Sequence, residues 1–236
     1  MSKPSGDLPR LAAAIGAIAL LAGVLIARQG EVVARGNLHP AFEDYEVERV
    51  RIAGVELYVD RSAHAGDAVT AIALLLAAAV LALAARRLPG PARRAFTTAS
   101  AGAGFLAADD LLSAHETIGH NLVSVIPAGL VDHPDDAVLA LYALVVASFA
   151  WRSRGLLRGA PRAPWLVAVL AAGLAVAHDV SPLHLGVIEE TLEVVAAVAG
   201  LVGVITLART HQRRAERESA EAASSTVDRG PVGSRP

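Results

Sequence analysis

Apolar residues occur along this chain in long blocks rather than in the short periodic patterns of soluble helices and strands. A helix needs about 20 apolar residues to cross a hydrocarbon core of about 30 Å. The blocks that reach or approach this length are 11–27, 68–85, 95–112, 137–151, 164–177 and 185–208. The fourth and fifth blocks are short and could be re-entrant or buried instead. The pattern predicts an all-α membrane protein, a bundle of six transmembrane helices.

Composition agrees with this interpretation, because 54% of the residues are hydrophobic and the mean hydropathy is +0.47. A soluble domain of 236 residues would not have such a composition. The net charge of -2 gives no overall basicity that would favour nucleic acid as a partner. Cysteine is absent, which excludes disulfides and thiolate metal sites. Any bound metal ion must therefore be held by oxygen and nitrogen atoms.

Basic residues are distributed unevenly around the predicted helices, and this asymmetry indicates an orientation. They concentrate near the N-terminus and in the segments 86–94, 152–162 and 209–217, which all lie on one side of a six-helix arrangement. The positive-inside rule assigns that side to the cytoplasm. We therefore predict a plasma-membrane protein with both termini cytoplasmic. Its predicted regions are a cytoplasmic N-terminus over 1–10, a membrane domain over 11–208 and a disordered cytoplasmic tail over 209–236.

The first apolar block could instead belong to a secretory signal, because Lys3 and Arg10 precede it. No small-residue cleavage pattern follows the block closely, and further apolar blocks come after it. We interpret it as a retained membrane helix, with cleavage as the open alternative.

The outer loop over 28–67 contains a segment in which apolar and polar residues alternate, at 55–59. This alternation next to Ala53-Gly54 is typical of a small β-hairpin. An isolated hairpin is only marginally stable in water. We therefore favour a solvated extracytoplasmic loop with some strand character over a folded cap on the outer face.

The stretch AADDLLSAHETIGH, residues 107–120, crowds ionisable side chains at the end of the third apolar block. On one continuous helix Asp109, Glu116 and His120 share a face, whereas Asp110 and His115 point elsewhere. The two histidines are five residues apart, so HETIGH does not match the HExxH pattern of zinc proteases. The shared face predicts a group of potential ligands.

A second cluster occurs in AHDVSPLHLGVIEETLE, residues 177–193. Ser181 followed by Pro182 is typical of a helix start, which predicts that the last helix begins there. Glu189, Glu190 and Glu193 then lie in its first few turns, with two or three carboxylates facing the same way. The six-helix topology brings this cluster and the first one to the same outer membrane boundary.

Ionisable residues at membrane depth are costly, and they usually face a bundle interior or a wet cavity. No lysine or arginine is near in sequence, so the expected partner is a metal cation or a shared proton. We predict one coupled site with the metal ligands Asp109, Glu116, His120, His178, Asp179, Glu189 and Glu193. The alternative is a solvated acidic face at the ends of these helices.

These motifs resemble those of uncharacterised bacterial multi-pass membrane proteins that carry DDxxxxHE and EExxE-type elements. The resemblance covers the third to the sixth predicted helix and implies no activity. The matching residues are Asp109, Asp110, His115, Glu116, Glu189, Glu190 and Glu193.

Three function classes follow from the sequence. The first is a metal-dependent enzyme at the outer membrane face, with zinc, iron or manganese, Glu116 or Glu190 as general base, and a lipid or lipid-linked substrate. The second is a cation-binding or transport protein, which we rank lower because the second, fourth and fifth helices offer almost no polar residues. The third is a non-catalytic assembly partner in the membrane. The expected partners are membrane lipids and a lipid or small-molecule substrate, and the oligomeric state is left open.

Overall fold

The computed structural model describes residues 8–36, 47–60, 65–122, 134–157, 160–179 and 186–227. These ranges contain seven helices and three strands. In chain order they are α1 (Leu8–Ala27), β1 (Glu31–Gly36), β2 (Val47–Ile52), β3 (Val55–Asp60), α2 (Ala65–Arg87), α3 (Gly90–Leu112), α4 (Ala114–Leu122), α5 (Pro134–Arg152), α6 (Ala163–Asp179) and α7 (Gly186–Val227). The chain forms two compact units, one from residues 1–72 and 104–152 and the other from 73–103 and 153–236.

The predicted bundle of six transmembrane helices is wrong. Among the described residues, two helical segments are long and apolar enough to cross a membrane, Gly66–Arg87 in α2 and Val187–Glu221 in α7. The described apolar parts of α1, α5 and α6 are shorter than 18 residues. In α3 the polar side chains of Thr97, Thr98, Asp109 and Asp110 interrupt the apolar block. Two such helices support association with a membrane, whereas the multi-pass topology and the side on which the termini lie stay predictions.

The all-α assignment is also wrong, because the first unit contains an antiparallel sheet of order β1-β2-β3. Strands β2 and β3 are joined by a two-residue turn in which Ala53 and Gly54 have φ values of 50° and 84°. Positive φ at both positions matches the right-handed twist of a hairpin. The predicted turn is therefore confirmed, whereas the favoured solvated loop is not.

The sheet is folded because it has a core of its own. Val50 and Val59 are fully buried and pack with Ala27 at the end of α1. Strand β1, which the sequence did not reveal, pairs with β2 and extends the hairpin to a three-stranded sheet. A third strand and a packed helix supply the apolar burial that an isolated hairpin lacks.

The second unit has a separate apolar core, formed where α2, α3 and α7 meet. Its buried residues are Ala77, Leu81, Ala84, Ala85, Leu88, Phe96, Val204, Leu207 and Ala208. The hydroxyl of Ser100 donates to the carbonyl of Ala78 at 2.8 Å, and the rings of Phe96 and His211 meet edge to face at 5.5 Å. These contacts fix α3 against both α2 and α7.

The region predicted to be a disordered tail is helical over most of its length, because α7 continues to Val227. Its residues beyond 208 are mostly alanine, glutamate and arginine, which are good helix formers. Arg214 Nε and Glu218 Oε1 form an i,i+4 ion pair at 2.9 Å. Adding turns to an existing helix needs no new nucleation, so such a sequence extends α7. The predicted helix start at Ser181-Pro182 lies outside the described residues, and α7 begins at Gly186.

Candidate acid-base site

The helix that carries the first ionisable cluster is broken at Ser113. Helix α3 ends at Leu112 and α4 begins at Ala114, and Ser113 between them has a φ of 46°. This left-handed conformation is unfavourable for a residue with a Cβ atom, and such strain concentrates at functional sites. The helical face calculated for one continuous helix over residues 109–120 therefore does not apply.

The break brings His115 into contact with Asp109, contrary to the prediction that His115 points elsewhere. The distance from His115 Nδ1 to Asp109 Oδ2 is 2.8 Å. The same nitrogen lies 3.2 Å from Glu116 Oε2. One imidazole therefore lies between two carboxyl groups, at the centre of the site.

Helix α5 contributes a further residue, Tyr142, which the sequence did not indicate. Its hydroxyl donates to Asp109 Oδ1 at 2.9 Å, and its ring meets Phe105 of α3 edge to face at 5.5 Å. Tyr142 occurs in the otherwise apolar stretch LALYALVV, and a buried tyrosine usually needs a partner for its hydroxyl. We call Asp109, His115, Glu116 and Tyr142 the acid–base cluster.

Asp109 is held in a buried position by this cluster, with only 3% of its surface exposed. Each of its oxygens accepts one hydrogen bond, from His115 and from Tyr142. A buried carboxylate is tolerated when its oxygens are paired in this way. His120 lies on α4 and is 1% exposed, in the same unit.

The carboxyl groups of Glu116 and Asp110 bind a proton unusually well. Burial raises the pKa of Glu116 to about 7, with His115 opposing the shift and Asp60 and Asp109 adding to it. Burial, followed by the charge of Asp67, raises the pKa of Asp110 to about 7. Both residues lie outside the two segments that are long enough to cross a membrane. These carboxyl groups therefore change their charge close to neutral pH.

Helix α4 is attached to the free edge of strand β3 by two side chains. Asn121 accepts from the backbone N–H of Tyr58 at 3.1 Å and donates to the backbone carbonyl of Tyr58 at 2.6 Å. The Thr117 hydroxyl accepts from the backbone N–H of Asp60 at 3.3 Å. A side-chain amide that makes both bonds imitates a neighbouring strand. The sheet thereby fixes the helix that carries His115 and Glu116.

The second predicted cluster belongs to the second unit of the chain, whereas the first belongs to the first unit. Glu189, Glu190 and Glu193 are half-buried on α7, which belongs to the second unit. His178 and Asp179 end α6, and their side chains lie outside the described part of the chain. A coupled site that includes both clusters stays a prediction.

The described residues include no group of three or more histidine, aspartate or glutamate side chains arranged to hold a metal ion. In the acid–base cluster the donor atoms that would bind a metal contact one another instead. His115 Nδ1, for example, is hydrogen-bonded to Asp109. The predicted metal-ligand set stays a prediction, since the side chains of His178 and Asp179 lie outside the described residues.

A family model described as a domain of unknown function (DUF8692) matches residues 12–209, which is most of the chain. The chain belongs to this family. No curated protein and no solved structure matches it. The matched range contains the whole acid–base cluster and the α7 glutamates. The expected membership in an uncharacterised family is confirmed, whereas its bacterial, multi-pass character and its motifs stay predictions.

The contact with Asp109 bears on which nitrogen of His115 is basic. Asp109 Oδ1 accepts from the Tyr142 hydroxyl, and when Oδ2 accepts from His115 the hydrogen of the ring is on Nδ1. In the neutral ring the lone pair is then on Nε2. A carboxylate that orients an imidazole in this way makes the remote nitrogen a stronger base or ligand. The cluster can therefore accept a proton at His115 and exchange another at Glu116.

Proposed function

We propose that this chain is a membrane-associated enzyme that acts by general acid–base catalysis on a lipid or lipid-linked substrate. The observation that carries the proposal is the 2.8 Å contact between His115 Nδ1 and Asp109 Oδ2 in a buried site. Imidazole is the commonest catalytic base near neutral pH, and its efficiency depends on a fixed orientation.

In this proposal His115 is the general base and Asp109 is a positioning residue. Asp109 holds the tautomer in which the lone pair is on Nε2, and it stabilises the imidazolium that forms when a proton is taken up. Tyr142 holds Asp109 from the other side through Oδ1. The hydrogen bonds of Asp109 thus leave His115 with one orientation.

Glu116 supplies the second titratable group that acid–base catalysis requires. Its carboxyl group lies beside His115 and is half-buried, with 24% of the side chain exposed. Catalytic groups work best when the pKa lies near the operating pH, and burial gives Glu116 a pKa of about 7. Glu116 is therefore the general acid of the proposed reaction. The other predicted base, Glu190, stays a prediction in the second unit.

The substrate class is proposed from the surface beside the cluster. Leu111, next to Asp110, is 51% exposed, and Leu141 and Leu144 on α5 are also exposed. An exposed apolar surface is typical of a site that contacts a membrane or an apolar ligand. A molecule with an acyl chain can contact this surface while its polar part reaches His115.

The proposed function is tested by measuring whether the chain converts a membrane lipid. The full chain and its His115→Gln variant are each placed in nanodiscs that contain total membrane lipid. Untargeted mass spectrometry then follows the lipid composition of both samples over time. His211→Gln is the matched control, because it makes the same chemical change in the other unit. Parallel reactions with added zinc, iron(II) or manganese, and with a chelator, separate metal-dependent from metal-independent turnover.

We expect a lipid species to be converted by the parent and by His211→Gln at similar rates. His115→Gln should lower the rate by about 10²–10⁴-fold, the usual contribution of a general base. No lipid conversion by the parent under any metal condition, or equal conversion by His115→Gln, would refute the proposed function.

A further inference from the structure

Arginine side chains from three helices gather at one end of the second unit. Arg86 and Arg87 end α2, and Arg93 and Arg94 begin α3 after a short turn that contains Leu88 and Pro89. Leu88 packs in the same core as Leu207 and Ala208, so Arg209, which follows them on α7, lies at this end too. We call Arg86, Arg87, Arg93, Arg94 and Arg209 the arginine belt.

The belt is exposed, and its charges are not balanced within the described part of the chain. All five residues are exposed, and none of their guanidinium groups makes an ion pair or hydrogen bond with a described residue. The arginines of the sheet behave differently, since Arg35 pairs with Glu48 and Arg51 with Glu56. Neighbouring positive charges repel one another, so the belt favours an anionic partner.

The surface next to the belt is apolar. On α2, Leu75, Leu76 and Leu83 are exposed directly before Arg86, and on α7 Val198 and Val202 are exposed before Arg209. Both segments are long and apolar enough to cross a membrane. A band of arginine that follows an exposed apolar band matches the boundary between hydrocarbon and phospholipid headgroups.

We propose that the arginine belt binds the headgroups of anionic phospholipids at the membrane surface. Guanidinium groups bind phosphate oxygens in pairs of parallel hydrogen bonds, and clusters of basic residues beside membrane spans attract anionic lipids. The apolar band favours a lipid over a free phosphate or an acidic protein, because acyl chains cover the exposed leucine and valine side chains. This inference does not depend on the acid–base cluster.

Binding is measured by native mass spectrometry of the full chain, released from detergent and titrated with phosphatidylglycerol or phosphatidylcholine. Two variants each remove three positive charges. They are Arg87→Gln/Arg93→Gln/Arg94→Gln in the belt and Arg35→Gln/Arg49→Gln/Arg51→Gln in the sheet as the control. Inorganic phosphate and a polyglutamate peptide are added as competitors, and circular dichroism confirms that each variant is folded.

The parent and the control should bind phosphatidylglycerol at least tenfold more tightly than phosphatidylcholine, and added salt should weaken this binding. Each surface arginine is worth about fivefold in affinity, so the belt variant should lose roughly a hundredfold. Equal affinity of the parent for the two lipids would overturn the proposal. So would a belt variant that binds phosphatidylglycerol as tightly as the parent, or a control variant that loses as much affinity as the belt variant. Full displacement by inorganic phosphate or by polyglutamate would also overturn it, in favour of a phosphate-ion or an acidic-protein site.

Discussion

Replacing Asp109 with alanine is expected to lower the free energy of unfolding by about 2–6 kcal/mol, because two donors each lose their acceptor at a cost of about 1–3 kcal/mol. The change removes the acceptor of the His115 N–H and the acceptor of the Tyr142 hydroxyl. Both donors would then lack an acceptor in a site that excludes most water, since the Asp109 they contact in the parent is only 3% exposed. Reversible unfolding of the purified chain in mixed micelles measures the loss.

Asp110→Ala is the matched control, because it removes the same group from the next residue. Burial raises the pKa of Asp110 to about 7, so ionising this side chain near neutral pH opposes folding. Its removal should leave stability near pH 7 unchanged or increased. Equal destabilisation by the two alanine variants, or a loss below about 1 kcal/mol for Asp109→Ala, would contradict the pairing of Asp109.

The second large effect is a loss of stability as the pH rises from about 4.5 to about 7. Glu116 has a pKa of about 7 in the folded chain and an ordinary value of 4.5 when unfolded. Between these values the unfolded chain releases a proton that the folded chain keeps, so the free energy of unfolding falls with increasing pH. Below this window both states are protonated, and above it both are ionised and the curve is level. At about 1.4 kcal/mol for each pKa unit, Glu116 contributes about 3 kcal/mol.

Glu116→Gln isolates this contribution, because glutamine has the same size and does not titrate. His115, Asp60 and Asp109 are the groups that act on the Glu116 carboxyl, and all three are retained in the variant. The free energy of unfolding of the parent, minus that of the variant, should decrease by about 3 kcal/mol between pH 4.5 and 7. Parallel parent and variant curves across this window would show that Glu116 has an ordinary pKa.

The sequence located most helices but misjudged how many could cross a membrane. Block 95–112 ends where α3 ends, and block 137–151 falls inside α5. The number of spans was wrong because block length alone gives too little weight to interruptions such as Asp109 and Asp110. Strand β1 was missed because its pairing with β2 is non-local, whereas the β2–β3 turn has a local signal in Ala53-Gly54.

The first cluster could be recognised from the sequence, but the contacts within it could not. A helical face calculated across Ser113 assumes a continuous helix, and serine is not a residue that signals a positive φ. The left-handed turn at Ser113 therefore changed which side chains meet, and His115 came next to Asp109. Tyr142 could be found only from the packing of α5 on α4, which the sequence does not encode locally.

The most direct test of the acid–base cluster is the titration of the Glu116 carboxyl itself. Carbon NMR of the full chain with labelled glutamate, assigned by the signal that disappears in Glu116→Gln, follows this carboxyl in micelles across pH 4 to 9. The structure predicts a midpoint at about pH 7, caused by burial and by the charges of Asp60 and Asp109. A midpoint near the ordinary value of 4.5 would show that Glu116 carries no proton near neutral pH and would contradict its role as the acid of the site.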